Sequence, residues 1–298
     1  MELLRVGTMA ATSHPGLRLG RILLATDFSP AAQAALRHAA RLARVSGAQL
    51  HVAHVIEDRL WKICPELTLL RRIDATRRLD QTLASPECAG IRVQPVLRHG
   101  GVVPQVVRIA EQNGVDLIVT GTRGHHGLRH LLLGSAAEKL AQCAPCSVLT
   151  VGPSARTAPD GEAVFRNIVL ATGLNPGAAA GIAFALSFAQ RHGAKLWVAH
   201  SLRPGDDATR SDAVDAWMKK IVPDQPGVER VLEIGSVEQV TLTLAERESA
   251  DLVMLAPGLG SLLPQMVRQV SCPVMIVRYA IPMIRPKWLG ATTPALSS

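Results

Sequence analysis

The residues from Gly121 to Ser135 carry the chemistry that the chain is best equipped to do. Gly121, Gly124 and Gly134 stand in the spacing Gly-x2-Gly-x9-Gly-Ser, with Arg123, His125, His126, Arg129 and His130 between them. Before them, Asp116 to Thr120 is a short apolar, β-branched run of the kind buried on both faces of a parallel sheet. After them, Ser135 followed by Glu138 has the spacing of a capping box and predicts a helix with Ser135 as its N-cap. A helix start presents unpaired N–H groups and the positive end of the macrodipole, and glycines let an anion approach the backbone closely. The chemistry is phosphate binding. No lysine stands between Gly134 and Ser135, so this is no Walker A loop, and no GxGxxG run follows the first strand. The arginines and histidines either neutralise phosphates or belong to a solvated loop. His126 and His130 have a metal-binding spacing without the HExxH carboxylate, and no metal site is assigned to them.

A second signal lies near the N-terminus. Arg21 to Thr26 reads as a buried strand, and Asp27-Phe28-Ser29-Pro30 turns it into a helix with Ser29 as N-cap and Pro30 at the first helical position. In open parallel sheets ligands lie beyond the carboxyl ends of the strands, at the switch point of the strand order. If the strands ending at Asp27 and Gly121 are neighbours, both signals face one crevice.

The elements that must position these residues alternate. A helix to about Ser46, a strand from Gln49 to Val55, a helix from Pro65 to Leu83, a strand from Ile91 to Leu97 and a helix from Val102 to Asn113 lead to the strand before Gly121. The helix from Ser135 then leads to a last strand, Ser147 to Val151. Strand and helix in alternation predict an α/β, doubly wound parallel sheet with right-handed crossovers. Residues 1–19 read as a tail, 20–152 as a first domain and 153–164, rich in Pro, Gly, Ser and Ala, as a linker.

After the linker the pattern starts again at an offset of about 146 residues, so residues 165–279 form a second domain by tandem duplication, with 280–298 as a tail. Ile168 to Thr172 repeats Ile22 to Thr26, Asn175-Pro176 repeats the Ser29-Pro30 helix start, and Val198-Ala199-His200 repeats Val52-Ala53-His54. Ala250-Asp251 answers Val115-Asp116. The copy departs where the chemistry lies. Gly173 stands in place of Asp27, and Gly258-Leu259-Gly260-Ser261 belongs to a loop about seven residues shorter than the first.

Composition bounds the rest. The 298 residues are 48% hydrophobic, enough for a sizeable core, and no apolar run approaches the roughly 18 residues of a membrane span. With no secretory signal core, the expectation is a cytoplasmic protein. A formal charge of +8 suits anionic ligands, but 3% aromatic residues and no recognisable motif argue against nucleic acid. Arg71, Arg72, Arg77 and Arg78 form one basic helix face, read as solvated or as a partner contact. Five cysteines in irregular spacing are no disulfide framework, and Cys143-Ala144-Pro145-Cys146 follows a helix instead of opening one, so it is read as packing.

The first half resembles a universal stress protein of the nucleotide-binding subgroup. The likeness rests on Ala25-Thr26-Asp27-Phe28-Ser29, on His54-Val55-Ile56-Glu57-Asp58, on Val115 to Gly121 and on the loop through Gly134-Ser135. It implies two tandem Rossmann-like domains of the adenine-nucleotide alpha-hydrolase type, paired through their last strands near 147–151 and 273–277. It also implies that Asp27 and the Val55 backbone hold adenine, and that Gly121, Gly124, Gly134 and Ser135 hold ribose and phosphates, with the Ala136 N–H contributing. Ala25, Thr26 and Arg123 complete the candidate binding set. The ligand implied is ATP or another adenine nucleotide, with Mg²⁺, and the degenerate second domain serves as a built-in partner in a stress-response regulator. A homodimer and a protein partner fit the same family. Two alternatives stay open: a slow ATP hydrolase or autophosphorylating protein, for which no catalytic residue is assigned, and an interaction module that no longer binds nucleotide.

Overall fold

The computed structural model describes residues 19–57, 65–122, 134–152, 155, 164–175, 177–206 and 208–278. The first domain runs β1 (Arg21–Ala25), α1 (Pro30–Ser46), β2 (Gln49–Ile56), α2 (Pro65–Leu83), β3 (Arg92–His99), α3 (Val102–Asn113), β4 (Leu117–Gly121), α4 (Ser135–Cys143) and β5 (Ser147–Val151). The second runs β6 (Asn167–Thr172), α5 (Ala178–His192), β7 (Lys195–Leu202), α6 (Ala208–Ile221), β8 (Val228–Ile234), α7 (Val237–Arg247), β9 (Leu252–Leu255), α8 (Leu263–Gln269) and β10 (Val274–Ile276). Short 3-10 turns follow α2 and precede α8.

All of these strands lie in one sheet of order β3-β2-β1-β4-β5-β10-β9-β6-β7-β8. Every neighbouring pair is parallel except β5 with β10, which are antiparallel, so the two domains meet strand to strand about an approximate two-fold axis. Side chains lock this seam. The Thr150 hydroxyl donates to Val274 O at 2.8 Å, and the Ser147 hydroxyl accepts from Arg278 N–H at 3.0 Å. The Arg278 guanidinium crosses back to donate to Ala141 O in the last turn of α4, where a cation also suits the helix dipole.

Helices cover both faces. One continuous core spans the two domains beneath α1, α2, α5 and α6, whereas α3, α4, α7 and α8 cover the other face in smaller clusters. Ala137 and Ala141 of α4 share a cluster with Leu263 and Met266 of α8, so the seam is packed as well as hydrogen-bonded. Phe165, at the end of the linker, is buried between His38 of α1 and Phe188 of α5, with ring centroids 6.4 and 5.9 Å away.

The duplicated acidic residues have a structural task. Asp116 accepts from the N–H groups of Gly20 and Arg21 at 2.8 and 2.9 Å, and Asp251 accepts from those of Arg166 and Asn167 at 2.7 and 3.1 Å. Each carboxylate therefore ties the start of one strand to the start of its neighbour. Cys143 ends α4 and Cys146 immediately precedes β5, and burial pushes the Cys146 thiol up to about 12, so it stays protonated.

The expected helix start at Asn175-Pro176 needs correction. The α5 helix is bounded at Ala178, with Gly177 before it, while Asn175 still makes a capping-type contact: its side-chain oxygen accepts from Gly177 N–H and its amide donates to Pro257 O. In the first domain the expectation holds, since Ser29 caps α1 by accepting from Ala32 N–H at 3.2 Å. The alanine-rich face of α1 lets it approach β4 closely. A Cβ on Gly121 would lie 2.8 Å from Ala31 C and 2.9 Å from Ala32 N, both backbone atoms that cannot swing away.

Two outcomes follow from this packing. Gly121→Ala should destabilise the fold by about 1–3 kcal/mol or more through overpacking, read as a lower urea midpoint at unchanged slope. His192, packed on Phe188 at 4.5 Å with its Nδ1 unpartnered among the described residues, is pushed down to about 4, chiefly by burial. The unfolded chain therefore takes up the proton first, and stability present above roughly pH 6.5 is lost as pH falls towards 4. Between pH 7 and 4.5 the unfolding free energy of wild type should fall by on the order of 2–3 kcal/mol more than that of His192→Leu; parallel curves for the two proteins would contradict the assignment.

Candidate functional site

The β1 strand pairs with β2 on one side and β4 on the other, with Ala25 opposite Ala53 and Thr120. The strands ending at Asp27 and Gly121 are thus neighbours. The strand order reverses between β1 and β4, which opens a crevice beyond their carboxyl ends.

At the end of β1 the ladder to β2 is interrupted. Thr26 N–H donates to Ala53 O at 2.9 Å, the last rung. The next rung would join Val55 N–H to Thr26 O, but that oxygen instead accepts from Nδ1 of His54 at 2.8 Å. Since a carbonyl cannot donate, Nδ1 carries the proton. Burial first of all lowers the His54 pKa, which favours this neutral form. The consequence falls on Val55. In a parallel ladder alternate residues address opposite neighbours, so the Val55 N–H and C=O face the side that β1 has vacated and have no partner there among the described residues.

The turn that follows is tightly specified. Thr26 Oγ1 accepts from Phe28 N–H and the Asp27 carboxylate accepts from Ser29 N–H, each at 3.0 Å. Phe28 adopts a left-handed φ of 63°, a conformation that costs a non-glycine residue roughly 1–2 kcal/mol. Its ring packs on His54 with centroids 4.5 Å apart and lies under the Arg78 guanidinium of α2 at 5.8 Å. Asp27 is thereby held half-buried at the crevice. Neither His54 nor Phe28 belongs to the candidate binding set read from the sequence. The signal that could have found His54 was its repetition as His200, whose Nδ1 sits 2.9 Å from Thr172 O.

On the far side of the crevice α4 begins, with one correction. Gly134 is the N-cap, with extended φ and ψ of −63° and 139°, and Ser135 is the first helical residue with no capping bond from a side chain. The reason is tertiary. Gly134 N–H is drawn to Thr122 O at 2.6 Å, which sets the helix entry one residue earlier, and the first intrahelical bond runs from Glu138 N–H to Gly134 O. The Ser135 hydroxyl and the N–H groups of Ser135, Ala136 and Ala137 therefore have no partner among the described residues. Ser135 is exposed and Ala136 half-buried.

Of the expected set, Ala25, Thr26, Asp27, Val55 and Gly121 lie at the carboxyl ends of β1, β2 and β4, and Gly134, Ser135 and Ala136 lie at the start of α4. Arg123 and Gly124, like His125, His126, Arg129 and His130, lie outside the described residues. Gly121 has a sufficient reason to be glycine in its packing on α1.

The same corner of the second domain is filled. Pro257, two residues beyond β9, sits against the start of α5, so that a Cβ on Gly177 would lie 2.8 Å from its Cβ and one on Gly181 would lie 2.7 Å from its Cδ. The Asn175 amide holds Pro257 O at 2.9 Å. Gly173 offers no carboxylate where Asp27 does.

A protein of Coxiella burnetii called universal stress protein A homolog 1 is 36% identical over 140 residues, covering 44% of this chain and 94% of that one. Universal stress protein MJ0577 of Methanocaldococcus jannaschii is 27% identical over 151 residues, covering 44% of this chain and 93% of that one. The solved structure of a universal stress protein from Archaeoglobus fulgidus aligns with a TM-score of 0.69 at 17% identity, over 88% of this chain and 99% of that one, a likeness of fold. The model of the universal stress protein family matches residues 19–152 and again residues 165–278, and the chain belongs to that family as a tandem two-domain member.

Proposed function

We propose that the first domain binds ATP or a related adenine nucleotide, accompanied by Mg²⁺, and that the second domain is a non-binding partner that completes the paired sheet. The protein would act as a cytoplasmic stress-response regulator that reads nucleotide. The observation that carries this reading is the set of donors at the start of α4 that have no partner among the described residues: the Ser135 hydroxyl and three successive N–H groups, at the switch point of the sheet. A helix start with free N–H groups suits phosphate oxygens. Across the crevice, the Val55 N–H and C=O form a donor and acceptor pair matched to the edge of a base, beside the Asp27 carboxylate. Two polar ends separated by one crevice fit a nucleotide better than a lone anion. The filled corner at Pro257 and the missing carboxylate at Gly173 support a single site per chain.

Calorimetric titration of Mg²⁺ and ATP into the full chain tests this. About one site per chain is expected, with Asp27→Ala and Ser135→Ala each weakening binding about tenfold or more. Gly134 already has a φ and ψ open to any residue, so Gly134→Ala should keep the fold and lose affinity through the added methyl group alone. Two sites per chain would overturn the reading of the second domain; no heat at millimolar ATP would overturn that of the first.

A further inference from the structure

We infer that the outer face of α2 is a self-association surface that pairs with the same face of a second copy of this chain, in antiparallel register about Thr76. Leu69 and Leu70, adjacent in the chain, and Ile73, one turn on, are 59, 63 and 57% exposed, an apolar patch that a soluble helix face does not need. The patch continues into a shallow trough of about 640 Å³ that runs along α2 from Leu69 to Ala84, past Arg72, Thr76 and Asp80. Fifteen helical steps make it about 22 Å long, the length of a facing helix of the same size.

Its charges identify the occupant. Arg77 and Arg78 are both engaged by Asp74, at 2.6 and 2.9 Å. Arg72 and Asp80 enter no ion pair among the described residues. Arg72 and Asp80, four residues before and four residues after Thr76, are thus the trough residues without an ion pair among the described residues, and Arg77, which also lines it, shares Asp74 with Arg78. An anionic membrane or a uniformly acidic segment would meet Asp80 unfavourably. A second α2 related by a two-fold axis through Thr76 brings Arg72 of each copy against Asp80 of the other, so that two ion pairs form across the axis. The same rotation lays Leu69 of each copy against the Ala84 end of the other. Thr76 suits the axis, being small and having its hydroxyl satisfied within the helix, where it donates to Arg72 O at 2.9 Å. This surface lies on the edge of the first domain, apart from the β5 and β10 seam.

Sedimentation equilibrium of the full chain, over about a hundredfold range of concentration, tests the inference. Wild type should show a reversible dimer. Arg72→Asp gives a face with two acids and Asp80→Arg a face with two bases, and each alone should weaken the dimer by roughly tenfold or more. Mixed in equal amounts, these two proteins should recover association as a heterodimer, which also shows that both are folded. Ile73→Asp should abolish it. A monomer at every concentration would overturn the inference, and a fall in melting temperature of monomeric Ile73→Asp would then mean that the chain's own residues cover the patch. A dimer indifferent to all three substitutions would overturn it in favour of another surface, and failure of the mixed variants to associate would overturn the antiparallel register.

Discussion

The site depends on one hydrogen bond, from His54 Nδ1 to Thr26 O at 2.8 Å. Backbone groups in a parallel sheet pair with the neighbouring strand by default, because leaving them unpaired in the interior is costly. By supplying a side-chain donor to Thr26 O, His54 satisfies the end of β1 without Val55 and lets the chain leave the sheet at Asp27. Two features beside it follow: the backbone pair of Val55 without a partner among the described residues, and the turn at Phe28. The second domain shows that the bond is not sufficient. His200 makes the equivalent contact with Thr172 O, yet Pro257 occupies the space that the turn leaves. The same backbone device thus supports an open corner in one domain and a packed one in the other.

Pairing of the domains solves a problem that each half would face alone. A half ending in β5 or β10 would present a flat, apolar edge strand, and such edges invite uncontrolled pairing. Here each edge satisfies the other, with Ser147, Thr150 and Arg278 adding side-chain bonds that only this antiparallel register provides. The outer edges are unlike each other. The β3 edge contains Pro95, which has no N–H to offer a further strand, flanked by Arg92 and Arg98, whereas β8 carries alternating charges at Glu229, Arg230 and Glu233. Both devices limit growth of the sheet, and they leave helix faces such as that of α2 as the surfaces open to association.

Alternation and repetition made much of this legible in the sequence. Runs such as Ile22 to Leu24 and Leu117 to Val119 are fully buried on both faces, so their apolar continuity marked them as central strands. The repeat was visible because both copies keep the residues that tie the sheet together, including Asp116 with Asp251 and His54 with His200. What escaped the sequence depends on contacts distant along the chain. The Ser135-x-x-Glu138 spacing read as a capping box, but Thr122 O, which takes the Gly134 N–H, set the helix boundary. Asn175-Pro176 read as a copy of Ser29-Pro30, but Asn175 is bound to Pro257, more than 80 residues away. Local spacing predicts a local bond only where no tertiary partner competes for the same atoms.

The strain at Phe28 is informative for the same reason. Glycine would adopt a φ of 63° freely and would remove roughly 1–2 kcal/mol of conformational cost. It would also remove the ring that packs on His54 and meets the Arg78 guanidinium. Without that ring the imidazole would be free to leave Thr26 O, and Val55 N–H is the nearest alternative donor, one rung further along the ladder. Recovering that rung would favour a longer β1 and close the crevice from within. The phenyl ring therefore holds the ladder open, and the strain it tolerates is small beside the backbone pairing that it prevents. In this chain a strained side chain, a neutral histidine and an interrupted ladder form a single device, and the backbone groups of Val55 that find no partner among the described residues are its product.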